Sequence, residues 1–482
     1  MAGCCLGRRL GVARGLVRVG TSPRVSDLQP PITARGRFPD IGPNAVELAR
    51  ALIRVDTSNP PGRETVAARV LQDWLAAHGV ESELVGPDPD RRNLVATVAG
   101  RGEGPSLALC GHLDVVPAGE LDAWTHPPFA GVLDEAGYVW GRGAVDMKAQ
   151  VATRAAALVA LVQSGVQPAG DVRLIAQSDE EVNTAGVGMR WLVEHRRDLR
   201  TDWALEEGGG RHITLPDGRV AVLYGVADKA LLPIELHARG AGGHASNPGA
   251  VANPVLTLAR AITALERAPI ERQLVPAADR MLRGILGAAA PDPEEGIDAL
   301  VAAAQAAVPE LAASLDAITR TTFTPTMLRG SSAVNVIPDH AVARIDCRML
   351  PGGRVEDALA ELAAKLATGD DDGDWELVPA AEPVGGSSSD PDGAFTAACE
   401  QALERVDGRR LVMVPTMNSF YTDASHLRRE WGTITYGLWP WQHTPPADYQ
   451  AGVHAPNERV LAADIEYATR WHLELLLEMA EA

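Results

Sequence analysis

The chain is expected to fold as an α/β protein with two domains: an α/β/α domain interrupted by a smaller α+β sandwich. Three observations lead there. Its 482 residues exceed what a single hydrophobic core usually organises. Strand-like apolar runs alternate with helical periodicity through the first half. Past Val220 the rhythm changes to two strand–helix repeats, the pattern of a small sandwich placed inside the first domain.

Residues 1–40 carry Arg8, Arg9, Arg14, Arg18 and Arg24 with no acidic residue before Asp27. Such a stretch can be an Arg-rich transit peptide. Only 3 of the 44 basic residues are lysine, however, so the Arg bias belongs to the whole chain, and the segment is read as a disordered tail or an over-long start. Regular patterning begins at Ile41. Val66, Val70, Leu71, Trp74 and Leu75 fall at helical spacing before Gly79, a C-terminal stop. Residues 93–98, 107–110 and 172–176 read as strands, and residues 147–162 and 187–193 as helices, giving a sheet covered on both faces.

The insert follows with a strand near Val220, a helix over 254–265, strands over 323–328 and 341–349, a helix over 355–366 and a strand over 375–378. The Ala-rich stretch 271–320 reads as added helical decoration. A Gly/Ser/Asp/Pro-rich run at 385–393 returns the chain to the first domain, which closes with a helix over 465–479. The expected division is therefore a catalytic domain in two parts, 41–219 and 385–482, around an inserted lid at 220–384.

Composition excludes several function classes. A net charge of -19 and a pI near 5.1 repel a phosphate backbone, so no nucleic-acid partner is expected. No membrane span is expected either, because Arg154 interrupts the richest apolar run and Gln163-Ser164-Gly165 ends it. The five cysteines are scattered without CxxC spacing, which points to a reducing, cytoplasmic setting rather than a disulfide framework.

The chemistry-bearing residues gather in short motifs. Cys110-Gly111-His112-Leu113-Asp114 places His112 and Asp114 two residues apart at a strand end, where both can serve one site. A ligating imidazole normally donates its other N–H to an acceptor, and Asp114 is placed to be that acceptor. A structural histidine beside a turn aspartate is the plainer alternative. Asp146 lies in the Gly-rich loop Gly141-Arg142-Gly143-Ala144-Val145-Asp146-Met147, just before a helix that it would otherwise merely cap. Ser178-Asp179-Glu180-Glu181 follows a strand, at the edge where parallel sheets carry their sites, although a solvated acidic loop has the same composition. Glu206-Glu207 ends another strand-like segment, and His454 sits in a polar turn.

Two histidines and three carboxylates suit two borderline divalent ions with one carboxylate between them, most naturally zinc, with cobalt or manganese as substitutes. Asp146, Glu181 and Glu207, with one ionised water, balance the four positive charges of such a pair. Glu180 is then free to act as general base. In the insert, His244 and Asn335 could donate to a developing oxyanion, and Arg348 offers a fork for a carboxylate unless it simply pairs with Asp346.

With these motifs in order, residues 41–482 resemble the dinuclear zinc family of aminoacylase, glutamate carboxypeptidase, acetylornithine deacetylase and succinyl-diaminopimelate desuccinylase. The Leu205-Glu206-Glu207-Gly208-Gly209 phrase, Arg320-Thr321-Thr322 and the enlarged insert look most like the carboxypeptidase S and N-fatty-acyl-amino-acid hydrolase branch. The resemblance implies a zinc-exopeptidase-like catalytic domain with a lid that often mediates homodimerisation. It implies that His112 and Glu207 hold one metal, Glu181 and His454 the other, and that Asp146 bridges. Asp114 would orient His112, Glu180 would be the catalytic base, and His244, Asn335 and Arg348 would bind substrate. The chain departs from the family at Ser425, where many relatives place Arg, and Glu206 competes with Glu207 as ligand.

The expected function is metal-dependent hydrolysis of an amide or peptide bond beside a free carboxylate, in a small peptide or N-acyl amino acid. A non-catalytic binding relative of the same fold is the alternative. No GxSxG elbow, HExxH helix or Walker A loop supports another hydrolase class.

Overall fold

The computed structural model describes residues 34–35, 38–39, 41–183, 185–367 and 374–481. The expectation for the first 40 residues therefore lies outside the described residues, except for a short antiparallel pairing of Ala34–Arg35 with Phe38–Pro39. The first segment supplies α1 (Gly42–Ile53), α2 (Glu64–Ala77), β1 (Ser82–Val85), β2 (Asn93–Val98), β3 (Leu107–His112), α3 (Lys148–Ser164), β4 (Val172–Gln177), α4 (Met189–His195), β5 (Trp203–Glu206), β6 (His212–Thr214) and β7 (Val220–Asp228). Helix α2 stops where Gly79 adopts φ +81, a left-handed turn residue with no Cβ to obstruct it.

The chain crosses to a second sheet at Lys229, so residues 220–228, expected in the insert, belong to the first sheet. The second part contains β8 (Ala230–Arg239), α5 (Pro254–Arg267), α6 (Pro276–Leu286), α7 (Gly296–Ala307), β9 (Thr322–Arg329), β10 (His340–Met349), α8 (Val355–Leu366) and β11 (Trp375–Pro379). Strands β9, β10, β8 and β11 lie in that order, all antiparallel. Strand β8 alternates strictly: Leu232, Ile234, Leu236 and Ala238 are buried against Leu258, Ala261, Leu362 and Leu366 of α5 and α8, while Glu235 and His237 face the open side. The decoration behaves differently. Ala278, Met281, Leu282 and Ile285 of α6, with Leu300 and Val301 of α7, pack into the first core with Val414 and Met417, not into the second.

The returning chain adds α9 (Ala394–Asp407), β12 (Val412–Asn418), β13 (Ile434–Gly437) and α10 (Ala462–Glu481). The first sheet then has nine strands, in the order β6-β7-β13-β5-β3-β4-β2-β1, with β12 parallel to β7. Its middle strands β13, β5, β3 and β4 are mutually parallel. Every residue of β3 is buried, the mark of a strand covered on both faces. Helix α3 crosses so closely over β3 that a Cβ on Gly111 would come within 2.9 Å of Val151 Cγ2, which explains glycine beside His112.

Candidate metal centre

Because β3, β4 and β5 run parallel side by side, their C-terminal ends share one edge of the sheet, and the three motifs end there together. His112 closes β3 and is fully buried. Glu180 and Glu181 follow β4, Glu207 follows β5, Asp146 comes from the loop before α3, and His454 comes from the turn before the strand Arg459–Leu461.

Asp146 stands at the middle. Its Oδ1 is 2.9 Å from His112 Nε2, and its Oδ2 is 3.2 Å from His454 Nε2. His112 Nε2 is also 3.9 Å from Glu207 Oε2, and His454 Nε2 is 3.0 Å from Glu181 Oε2. The two oxygens of one carboxylate thus face two separate His–Glu pairs. In each of the triads His112, Asp146, Glu207 and Asp146, Glu181, His454, one ligand atom per residue lies within 4.8 Å of the others. Donors held about 2.0–2.2 Å from a tetrahedral ion sit roughly 3.3–3.6 Å apart, so imidazole and carboxylate at these spacings fit two ions with Asp146 between them.

The electrostatics agree. Burial and the neighbouring carboxylates push Glu180 and Glu207 well above the usual carboxylate range, and Glu181 upward less strongly. Burial opposes ionisation of Asp146 as well, but the two imidazoles outweigh it and hold that carboxyl low. Among the described residues, Asp146, Glu181 and Glu207 form ion pairs only with His112 and His454. A buried group of acids without Lys or Arg to neutralise it is a cation site by charge as well as by geometry.

The surrounding shell differs in detail from expectation. His112 Nδ1 lies 2.9 Å from the Asp114 backbone carbonyl but 3.6 Å from its carboxylate, so the carbonyl orients the ring. The Asp114 carboxylate instead accepts from the backbone N–H groups of Glu180 and Glu181 and from Asn59 Nδ2, pinning the acidic loop. Glu206 is likewise engaged, accepting from Gln177 Nε2 at 2.6 Å and the Glu207 N–H at 2.7 Å, which leaves Glu207 as the glutamate facing the cluster. No hydrogen bond among the described residues engages the Glu180 carboxylate.

Sequence reading missed Glu458. Fully buried, it accepts from the backbone N–H groups of Gly143, Val145 and Asp146 and from Arg142, and so holds the Asp146 loop. The glutamate was visible in the His454 motif, but nothing in the local pattern joins it to a loop 312 residues away.

The lid residues do not gather with the cluster. His244 and Asn335 lie on neighbouring backbone segments, His244 paired with Val336 and the Asn335 backbone carbonyl accepting from the Ala245 N–H at 3.0 Å, on an exposed surface beyond the Arg239 end of β8. Arg348 pairs in register with Leu231 at the opposite end of β8, about 26 Å away along the strand. Its guanidinium is occupied by Asp346, with Nε 2.8 Å from Oδ1.

The profile of Peptidase family M20/M25/M40 matches residues 108–478. The chain belongs to that family. A succinyl-diaminopimelate desuccinylase of Paracoccus denitrificans (strain Pd 1222) is 34% identical over 238 residues, covering 48% of this chain and 58% of that protein. A probable carboxypeptidase S-like 2 of Dictyostelium discoideum is 29% identical, covering 52% of this chain and 50% of that protein. The chain thus spans about half the length of these two relatives. In fold it is similar to an M20 family metallo-carboxypeptidase of Sulfolobus solfataricus, with a TM-score of 0.69 at 18% identity, over 91% of this chain and 99% of that one. This M20 member therefore has the two-part α/β architecture expected from its sequence. No single described helix is long and apolar enough to cross a membrane.

Proposed function

We propose that this M20 member hydrolyses an amide or peptide bond next to a free carboxylate, with a small peptide or N-acyl amino acid as substrate. The observation that carries the reading is Asp146, whose two oxygens face two separate His–Glu pairs. His112 and Glu207 would hold one divalent ion, His454 and Glu181 the second, with Asp146 between them; the donor set favours zinc, with cobalt or manganese as substitutes. Such ions supply Lewis acidity at the scissile carbonyl and a water that ionises near neutral pH.

The chain's own residues do the rest. The unengaged Glu180 carboxylate takes a proton from the attacking water and delivers it to the leaving nitrogen. Water oxygen bonds to the carbonyl carbon, the C–N bond breaks, and a carboxylate and an amine leave. Asp114 keeps the Glu180–Glu181 loop in register, and Glu458 keeps Asp146 there.

The lid residues enter the reading as substrate-binding groups. Arg348 would exchange Asp346 for the substrate carboxylate. His244 and Asn335 would serve the cluster of a second copy in a homodimer built through the lid, a role supported by their distance from Arg348 and by the exposed Met327, Leu328, Val334 and Val336. A reducing, cytoplasmic setting belongs to the same proposal, supported by the buried free thiols of Cys110, Cys347 and Cys399.

The test is hydrolysis of a panel of dipeptides and short- and long-chain N-acyl amino acids by zinc-loaded protein, with a chelated control. Chelator-sensitive release from any class is expected. Absence of release across the panel, with two ions bound per chain, would replace this reading with that of a binding protein on the same fold.

A further inference from the structure

Strand β3 ends in His112 and β5 runs into Glu207, the two ligands proposed for one metal position, yet the strands stop pairing short of both. Their register joins Leu107 to Trp203, Ala108 to Ala204 and Leu109 to Leu205, and ends there. On their outer sides both stay paired to the end, β3 through His112 with Gln177 and β5 through Glu206 with Gly437. The gap lies only between the strands that carry this ligand pair.

The rung missing from the gap can be named. The Trp203 N–H donates to the Ser106 carbonyl, and a parallel ladder repeats every two residues, so two rungs on the Glu207 N–H would reach the Cys110 carbonyl. Neither group makes that bond. The Glu207 N–H goes to Glu206 Oε2 at 2.7 Å, and the Cys110 carbonyl accepts from Nη1 of Arg154. Nη2 of the same guanidinium donates to the Glu206 carbonyl at 2.8 Å. Arg154 belongs to α3 and is fully buried. A Cβ on Gly111 would come within 3.1 Å of Nη1, so the glycine beside His112 leaves room for the guanidinium as well as for Val151.

A guanidinium keeps its charge and is costly to bury, and its two Nη groups stand in a rigid planar fork. Here the fork spans the residue two before His112 and the residue one before Glu207. Neither of these bonds touches the loop that carries Glu181 or the turn that carries His454.

We infer that Arg154 is a positioning residue that takes the place of the missing rung, sets the separation of His112 and Glu207, and so governs the affinity of their metal position and not of the other. The inference rests on the two-metal part of the reading above. Charge and geometry pull in opposite directions, which makes it testable. Glu206 and Glu207 lie in the field of Arg154, so removing the cation would by charge alone tighten the hold on both metal ions. General loosening of the domain would weaken both. Only loss of the spacer weakens one.

The full-length chain, loaded with zinc, would be titrated with a competing chelator as wild type, Arg154→Met and Arg154→Lys. In Arg154→Met one ion is expected to bind about 30-fold more weakly and the other to change by less than about threefold. Arg154→Lys restores the charge but not the fork, and should lose about fivefold at the same ion; it carries the test if the methionine variant does not fold. Two backgrounds assign the position. Added to Glu207→Gln, which already weakens the same position, Arg154→Met should cost the tighter remaining ion less than about threefold; added to Glu181→Gln, it should cost the remaining ion about 30-fold. Equal losses at both ions, a gain at both, or the same penalty in the two backgrounds would overturn the inference and leave the two-metal reading intact. A wild type that holds fewer than two zinc ions per chain would overturn both. No step needs turnover, so two ions with the selective loss but no hydrolysis would support the positioning role and remove the hydrolase reading alone.

Discussion

The metal-site candidates and the polar residues of the lid are held in opposite ways. His112, Glu181 and Glu207 follow three adjacent parallel strands, Asp146 is fixed by three backbone N–H groups bound to Glu458, and the acidic loop is fixed by Asp114. The lid trio has no such frame: His244 and Asn335 lie exposed at one end of β8, while Arg348 pairs with Asp346 at the other. A site that must hold highly charged ions needs its ligands placed in advance, since each misplaced carboxylate would be a buried, unbalanced charge. Groups that meet only substrate, or a second subunit, can wait on a surface. The difference teaches which part of the chain is complete by itself and which depends on something arriving.

The largest effect should come from the shared ligand. Asp146→Ala removes one donor from both triads, and a loss of about 10⁴-fold in turnover together with both metal ions is expected, read by elemental analysis of the dialysed protein. Retention of two ions would break the bridging assignment. Glu180→Gln should separate chemistry from binding: turnover falls about 10³-fold while metal content stays at the wild-type level. If metal content falls too, Glu180 is a ligand and not the base.

The lid side of the comparison predicts a smaller and more unusual effect. His244→Ala should lower turnover about 100-fold without changing metal content. Mixed in equal amounts with Glu180→Gln under conditions that exchange subunits, it should recover about a quarter of wild-type activity, because half of the dimers then carry one site with both residues intact. No recovery would return His244 to its own chain or to a structural role. Glu458→Gln tests the frame directly. Removing one charge from a buried ion pair should cost about 3 kcal/mol of stability, and loosening the Asp146 loop should weaken metal affinity between about tenfold and 100-fold.

Strand and helix positions were legible because their causes are local. The buried run Leu107 to His112 and the alternation of β8 both follow from which faces are covered. The strand-end motifs were legible for the same reason, since the ends of parallel neighbours lie at one edge. What was not legible depends on partners far away in the chain. Residues 220–228 read as a strand, but only pairing with β12 shows which sheet owns them. The Ala-rich helices α6 and α7 have apolar faces that suit either core. Glu206 and Glu207 are indistinguishable until Gln177 occupies the first. The choice of the Asp114 carbonyl over its carboxylate turns on a difference between 2.9 and 3.6 Å.

The smallest expected effect contrasts two buried histidines. His112 faces Asp146, and that hydrogen bond outweighs the cost of burial, so its pKa is raised. His472 in α10 is equally buried, but only its Nδ1 is engaged, by the Ala468 carbonyl at 2.7 Å, and its Nε2 has no partner. Burial, with the Arg154 guanidinium nearby, pushes His472 down to about 3 from an ordinary 6.5. In the unfolded chain it would titrate near the ordinary value. Between those two limits the unfolded state binds the extra proton, so stability is fully present above about pH 6.5 and declines as the pH falls toward 3. One such group contributes a slope of at most about 1.4 kcal/mol per pH unit. His472→Leu keeps the volume roughly constant and removes the titration. Its urea midpoint, measured on metal-free protein from pH 7 to 4, should fall less steeply than that of wild type. Parallel slopes would mean that folding leaves the His472 titration where it stands in the unfolded chain, and a steeper fall in the variant would mean that His472 gains a proton partner as His112 does.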